Sequence, residues 1–161
     1  MKSIPVGQYE ANVDDSDFDS LSKYRWYLMR SKTKHSTRLY AVCDDVGRKR
    51  RFMHRIILNP ADGLDIDHAD GNGLNNCRTN LRVCTRSQNI AHAIKPGHGK
   101  SSRFKGVSFH RRDSLFFAQI KYHGRSIHLG CFKKEEDAAR AYDKKAKELF
   151  GDFAFINLPP I

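Results

Sequence analysis

Apolar and polar positions alternate most regularly in the last third of the chain. Phe104–His110, Leu115–Tyr122 and Ser126–Phe132 are short runs rich in β-branched and aromatic residues. Arg112-Asp113-Ser114 and His123-Gly124-Arg125 separate them with turn chemistry. The period then changes. Ala138, Tyr142, Ala146 and Leu149 recur at helical spacing, Glu135-Glu136-Asp137 place acid where a helix N-terminus favours it, and Gly151 supplies a stop. The pattern predicts a three-stranded antiparallel sheet with one amphipathic helix packed on it. Phe104, Phe117, Ile120, Leu129 and Phe132 are assigned to its core.

The preceding residues are less periodic. Residues 4–13 and 38–43 read as strands, Asp17–Tyr27 as a short helix, and Arg48–Leu58 turns from basic to apolar. Thr85-Arg86-Ser87-Gln88 has the form of a capping box, which predicts a helix from Arg86 to about Ala93. Lys95–Ser102 is rich in Gly, Pro and Ser and reads as a linker. The expected organisation is therefore α+β, with a domain over 1–94, a linker over 95–102 and a second domain over 103–161.

Composition narrows the function. The 161 residues carry a formal charge of +11, which points to a polyanionic partner, nucleic acid above all. No apolar stretch approaches a membrane span, and Met1–Asp15 lacks the apolar centre of a secretory signal, so a cytoplasmic protein with no membrane partner is expected. Cys43, Cys77, Cys84 and Cys131 show no CxxC spacing, against a disulfide framework or a zinc ribbon. The stretch 100–132 holds seven basic residues and one acid, whereas 133–149 holds six and five. The predicted sheet, not the helix, carries the positive potential, and a β-ribbon of this kind can enter the DNA major groove.

Candidate chemistry lies in Ile66-Asp67-His68-Ala69-Asp70-Gly71-Asn72-Gly73-Leu74-Asn75-Asn76, continuing through Asn80-Leu81-Arg82 to Ser87-Gln88-Asn89. Phosphodiester hydrolysis needs an activated water and a cation on the scissile phosphate. Asp67 and Asn89 offer the oxygen ligands that suit Mg²⁺ (or Mn²⁺), and His68 offers a general base near neutral pH. No organic cofactor is expected.

These residues resemble the HNH endonucleases, and the phage homing-endonuclease branch in particular, over the stretch from Met53-His54-Arg55 through Asn89, with a motif core at 53–93. His68, Asn80 and Asn89 stand at the motif's three positions, separated by 12 and 9 residues. The resemblance implies a ββα-metal fold, metal binding by Asp67 and Asn89, and water activation by His68. It also implies that Asn80 braces the loop and orients His68 through its amide, and that His54 and Arg55 give phosphate or site support. Asn in place of the final His is a variant of that pattern.

A second resemblance covers the C-terminal part. Arg103-Phe104-Lys105-Gly106-Val107-Ser108, Phe117-Ala118-Gln119-Ile120-Lys121, Ile127-His128-Leu129-Gly130-Cys131-Phe132, Glu136–Asp143 and Ile156-Asn157-Leu158-Pro159 resemble the APETALA2-type DNA-binding domain. The resemblance implies that the sheet lies in the major groove of double-stranded DNA. Contact positions are then Arg103, Lys105, Ser108, His110 and Arg112, followed by Gln119, Lys121, Arg125, Ser126 and His128. Plant members carry arginines and tryptophans at several of these positions, so their GC-rich target does not transfer.

The expected function is a metal-dependent DNA endonuclease of a phage or mobile element, acting in the host bacterial cytoplasm and delivered by the C-terminal sheet. A monomer is expected and would nick; double-strand cleavage would need a dimer or sequential nicking. The alternative is a sequence-specific DNA-binding regulator with an inactive HNH half. RNA binding is the weakest reading, because the sheet lacks a four-stranded platform with an exposed aromatic pair.

Overall fold

Gly7, at φ +66°, turns the chain back between β1 (Lys2–Val6) and β2 (Tyr9–Val13). The stretch 4–13 is thus a hairpin and not one strand. In this computed structural model, residues 1–32, 37–44, 49–93 and 101–159 are described; they fall into two units, Met1–Thr85 and Arg86–Ile161. Residues 95–100 of the expected linker, and Arg48 of the basic cluster, lie outside the described residues.

In the first unit, the alternating Ile4, Val6, Ala11 and Val13 bury one face of the hairpin. Helix α1 (Asp15–Leu21) follows, shorter than the expected 17–27, and the Trp26 indole donates to the Leu21 carbonyl at 2.8 Å beyond its end. Strands β3 (Tyr27–Lys32), β4 (Thr37–Asp44) and β5 (Arg50–Phe52) form an antiparallel sheet. Helix α2 (Met53–Leu58) is stopped by Asn59 in the left-handed region. Strands β6 (Asp65–His68) and β7 (Leu81–Cys84) pair antiparallel with Asp67 opposite Arg82. Ile4, Val6, Leu21, Trp26, Met53, Ile66, Leu74 and Leu81 share one core, which puts the β6–β7 loop on a rigid base.

The second unit begins with α3 (Arg86–His92). The expectation grouped this helix with the N-terminal domain. Its buried Ala91 instead joins Ile120, Tyr142, Ala146 and Phe150 in a core of the second unit. Strands β8 (Val107–His110), β9 (Leu115–Tyr122) and β10 (Arg125–Phe132) form the predicted antiparallel sheet in the order β10-β9-β8. Helix α4 (Glu135–Phe150) covers one face through Ala138, Ala139, Tyr142 and Ala146, and ends in a 3₁₀ turn at Gly151–Phe153. Only glycine fits at position 106. Its φ is +76°, and an added Cβ would lie 2.0 Å from the Tyr142 ring. The α+β class and its small antiparallel sheets agree with the expectation.

One core assignment is corrected. Val107, Ala118 and Ile120 face α4, so strand alternation puts Phe117 on the opposite face with Ser108, Gln119 and Lys121.

Candidate functional site

The β6–β7 loop is held from inside by Asn80. Its Nδ2 donates to Asp70 Oδ1 at 3.0 Å and to the Asn75 carbonyl at 2.8 Å, and its Oδ1 accepts from the Asp70 amide at 3.0 Å. Asp70 also accepts from the Asn72 amide and from Asn75 Nδ2, each at 2.8 Å. Burial opposes the Asp70 charge, but the hydrogen bonds from Asn75, Asn72 and Asn80 hold its carboxyl below the usual range. The Gly/Asn-rich sequence is thus an ordered loop.

Outside partners clamp the same loop. β2 reaches it through Asn12, whose amide donates to Leu74 at 2.9 Å and whose carbonyl accepts from Asn76 at 2.8 Å. Arg78 donates to both carboxylate oxygens of Asp17 at 2.8 Å, and its amide donates to Asp14 at 2.7 Å. Gly73 lies against β4 so closely that a Cβ would be 2.3 Å from the Leu39 carbonyl oxygen. Arg55 donates through both terminal nitrogens to the Leu64 carbonyl at 3.2 Å, holding the approach to β6. Of its two expected roles, this geometry fits site support.

Adjacent residues of β6 have different surroundings, as extended geometry requires. His68 is 6% exposed, with its ring 5.1 Å from His54 and 6.1 Å from Tyr40. Its Nε2 lies 3.4 Å from Asn76 Oδ1. Burial lowers the His68 pKa, opposed by the Asn76 contact and by the carboxylates of Asp70 and Asp67, so the imidazole is neutral at pH 7 and has a lone pair. His54 is pushed down to about 3, first by burial and then by His68 and Arg55. It is an uncharged wall beside His68.

Asp67 is 7% exposed and ion-paired with Arg82, its cross-strand neighbour. Among the described residues no group of three or more His, Cys, Asp or Glu side chains could hold a metal. Burial, followed by the carboxylates of Asp67 and Asp65, pushes the Cys84 thiol up to about 11. The donor types fit a hard cation that takes few protein ligands and fills its shell with water and phosphate oxygens. Asp67 is such a donor in the first unit. Asn89, the other expected ligand, belongs to α3 of the second unit.

The outer face of the second unit's sheet carries Ser108, His110, Phe117, Gln119, Lys121, Ser126 and His128. Phe117 stacks on His110 with ring centroids 4.3 Å apart and planes 2° apart, and meets the His128 ring at 5.7 Å. Gln119 pairs with His128 on one side and receives no side chain from Gly106 on the other. Arg112, beside exposed Arg111, projects from the β8–β9 turn, and Arg125 opens β10.

Two expected DNA contacts have internal partners. Lys105 Nζ donates to the carbonyls of Ala91 and, at 2.6 Å, of Ala93, where α3 ends. Burial pushes its ammonium down to about 8. Arg103 bonds Glu136 at 3.0 Å and lies 3.8 Å from Glu135, on the first turn of α4. Sequence reasoning missed Asn76, Tyr40, Arg82 and the loop clamps Asn12 and Arg78. Asn76 stood in the motif, but nothing local separated it from Asn75.

Residues 51–91 match the HNH endonuclease family. An uncharacterized HNH endonuclease of Acanthamoeba polyphaga mimivirus is 34% identical over 142 residues, covering 85% of this chain and 68% of the viral protein. An AP2-like ethylene-responsive transcription factor of Arabidopsis thaliana is 37% identical over 71 residues, covering 44% of this chain but 15% of the plant protein. APETALA2-like protein 2 of Oryza sativa subsp. indica is 40% identical over 58 residues, 36% of this chain and 13% of its own length. No solved structure matches. With the loop geometry around Asp67, His68 and Asn80, the family match across it and a viral relative aligned over most of both chains, this protein belongs to the HNH endonuclease family.

Proposed function

We propose that the chain hydrolyses phosphodiester bonds of double-stranded DNA, with the β6–β7 loop as reaction centre and the outer face of the β8–β10 sheet as the surface that holds the duplex. The observation that carries this reading is the placement of His68: a buried imidazole on a fixed strand end, next to a buried carboxylate. His68 takes a proton from water as the water attacks phosphorus in line with the departing 3′ oxygen. Tyr40 and His54 keep the ring from turning, and Asn80 keeps the loop closed beside it. Arg82 holds the Asp67 carboxylate in place. Asp67, together with Asn89 on the strength of the motif, would hold Mg²⁺ or Mn²⁺, which when bound polarises the phosphate and stabilises charge on the leaving oxygen.

Sequence preference comes from the sheet, where Gln119, Lys121, Ser126 and His128 share the outer face for base contacts and Arg112 and Arg125 serve phosphates. A homing role in a phage or other mobile element fits a small nuclease joined to its own DNA reader, and one reaction centre per chain fits a nicking monomer. The test is conversion of supercoiled DNA carrying candidate target sites, with Mg²⁺ or with EDTA, beside His68→Ala. Metal-dependent open circles that the variant does not produce support the reading, and linear product points to paired sites. Tight DNA binding without any cleavage of a target selected by that binding would favour the regulator.

A further inference from the structure

The amide that faces His68 belongs to Asn76. We propose that Asn76 is the positioning residue for the catalytic histidine: its Oδ1 accepts a hydrogen bond from Nε2–H and fixes the tautomer whose Nδ1 lone pair takes the proton from water. The inference rests on reading His68 as the base. Asn76 is 0% exposed, and its Oδ1 lies 3.4 Å from His68 Nε2. Its Nδ2 is buried and has no hydrogen-bond partner among the described residues. The backbone is fixed independently, since its amide donates to the Asn12 carbonyl at 2.8 Å.

Burying an amide with one end unsatisfied costs stability, and a leucine would fill nearly the same space without that cost. The polar contact this side chain does make is to His68. A general base needs one imidazole nitrogen with a lone pair, so an acceptor at Nε2 assigns the N–H there and leaves Nδ1 as the basic nitrogen. The Tyr40 and His54 rings limit ring rotation, but rings cannot choose a tautomer; a directional acceptor can. Asn80, whose hydrogen bonds run to Asp70 and Asn75, closes the loop that holds Asn76.

The test uses the full chain and three variants. Asn76→Leu should lower single-turnover cleavage roughly 10–100-fold, with DNA affinity within a few-fold of wild type and thermal stability equal or higher. A packing role alone would make stability and cleavage fall together. Asn76→Asp, which keeps an acceptor at Oδ1, should cleave within about ten-fold of wild type and faster than the leucine variant. Wild-type cleavage by Asn76→Leu, or equal loss in both variants, overturns the proposal. Long-range nitrogen–proton NMR of the wild-type protein reads the tautomer even if a variant does not fold: His68 Nε2 should be protonated, and a protonated Nδ1 overturns the proposal. Cleavage by His68→Ala would defeat the underlying reading of the base, while the NMR result would still decide the Asn76 contact.

Discussion

Asn80 and Asp70 grip each other reciprocally: the Asn80 amide donates to the Asp70 carboxylate at 3.0 Å, and the Asp70 backbone N–H returns a 3.0 Å bond to the Asn80 oxygen. This pair closes the β6–β7 loop immediately after His68. Asn80→Ala should destabilise the protein by ~1–3 kcal/mol, because it strands a part-buried donor and acceptor. Cleavage should fall more than ten-fold while DNA affinity stays within a few-fold. Thermal melts and binding titrations on the same preparation check this, and wild-type cleavage by the variant would refute the bracing role.

Gly73 tests how tightly the loop sits on β4. An added Cβ meets the Leu39 carbonyl oxygen at 2.3 Å and the Tyr40 ring at 2.6 Å. Gly73→Ala should therefore cost ~1–3 kcal/mol and shift the Tyr40 ring against His68. A melting temperature and cleavage rate equal to wild type would show that the contact has no such consequence.

His54 sets a pH window for stability. It is buried and neutral, with a folded pKa of about 3 against an ordinary 6.5. Between those values the unfolded chain binds the proton and the folded chain does not, so stability is full above the ordinary value and falls as pH drops toward 3. His54→Phe should flatten the loss of stability between neutral pH and about pH 4. Melting temperatures across that range decide it; identical slopes in both proteins would place the acid sensitivity elsewhere.

Lys105 and Lys121 should behave differently although both were expected DNA contacts. Lys105 Nζ is held by carbonyls at the end of α3, and Lys121 is exposed on the outer sheet face. Lys105→Met should lower thermal stability and leave the salt dependence of DNA binding nearly unchanged. Lys121→Ala and Arg112→Ala should each reduce the slope of log affinity against log salt by about 0.9. A slope change from Lys105→Met equal to that from Lys121→Ala would put Lys105 on the DNA after all.

Gln119 occupies the central strand, exposed on the outer face beside His128 of β10. A glutamine there matches adenine bidentately, and arginine matches guanine. Selection from random duplexes should return an adenine that Gln119→Ala ceases to require and Gln119→Arg replaces with guanine. An unchanged preference in both variants would move base readout away from this strand.

The sequence by itself determined the elements of the second unit, the α+β class and the Asp67-His68, Asn80 and Asn89 motif, because each depends on local period or fixed spacing. The resemblance to the APETALA2-type domain put Ser108, Gln119 and Lys121 at contact positions, and strand pairing places them together on the outer face. Tertiary structure decided which polar groups meet. Asn75 and Asn76 are adjacent and chemically identical, yet in the loop that the Asn12 backbone clamps from β2 one faces Asp70 and the other His68. Arg103 and Lys105 looked like free cations until α4 supplied Glu135 and Glu136 and α3 supplied its terminal carbonyls. Phe117 looked like core until pairing with Ser108 fixed its side of the sheet. A side chain's chemistry is local, but its partner is chosen by residues far away in the chain.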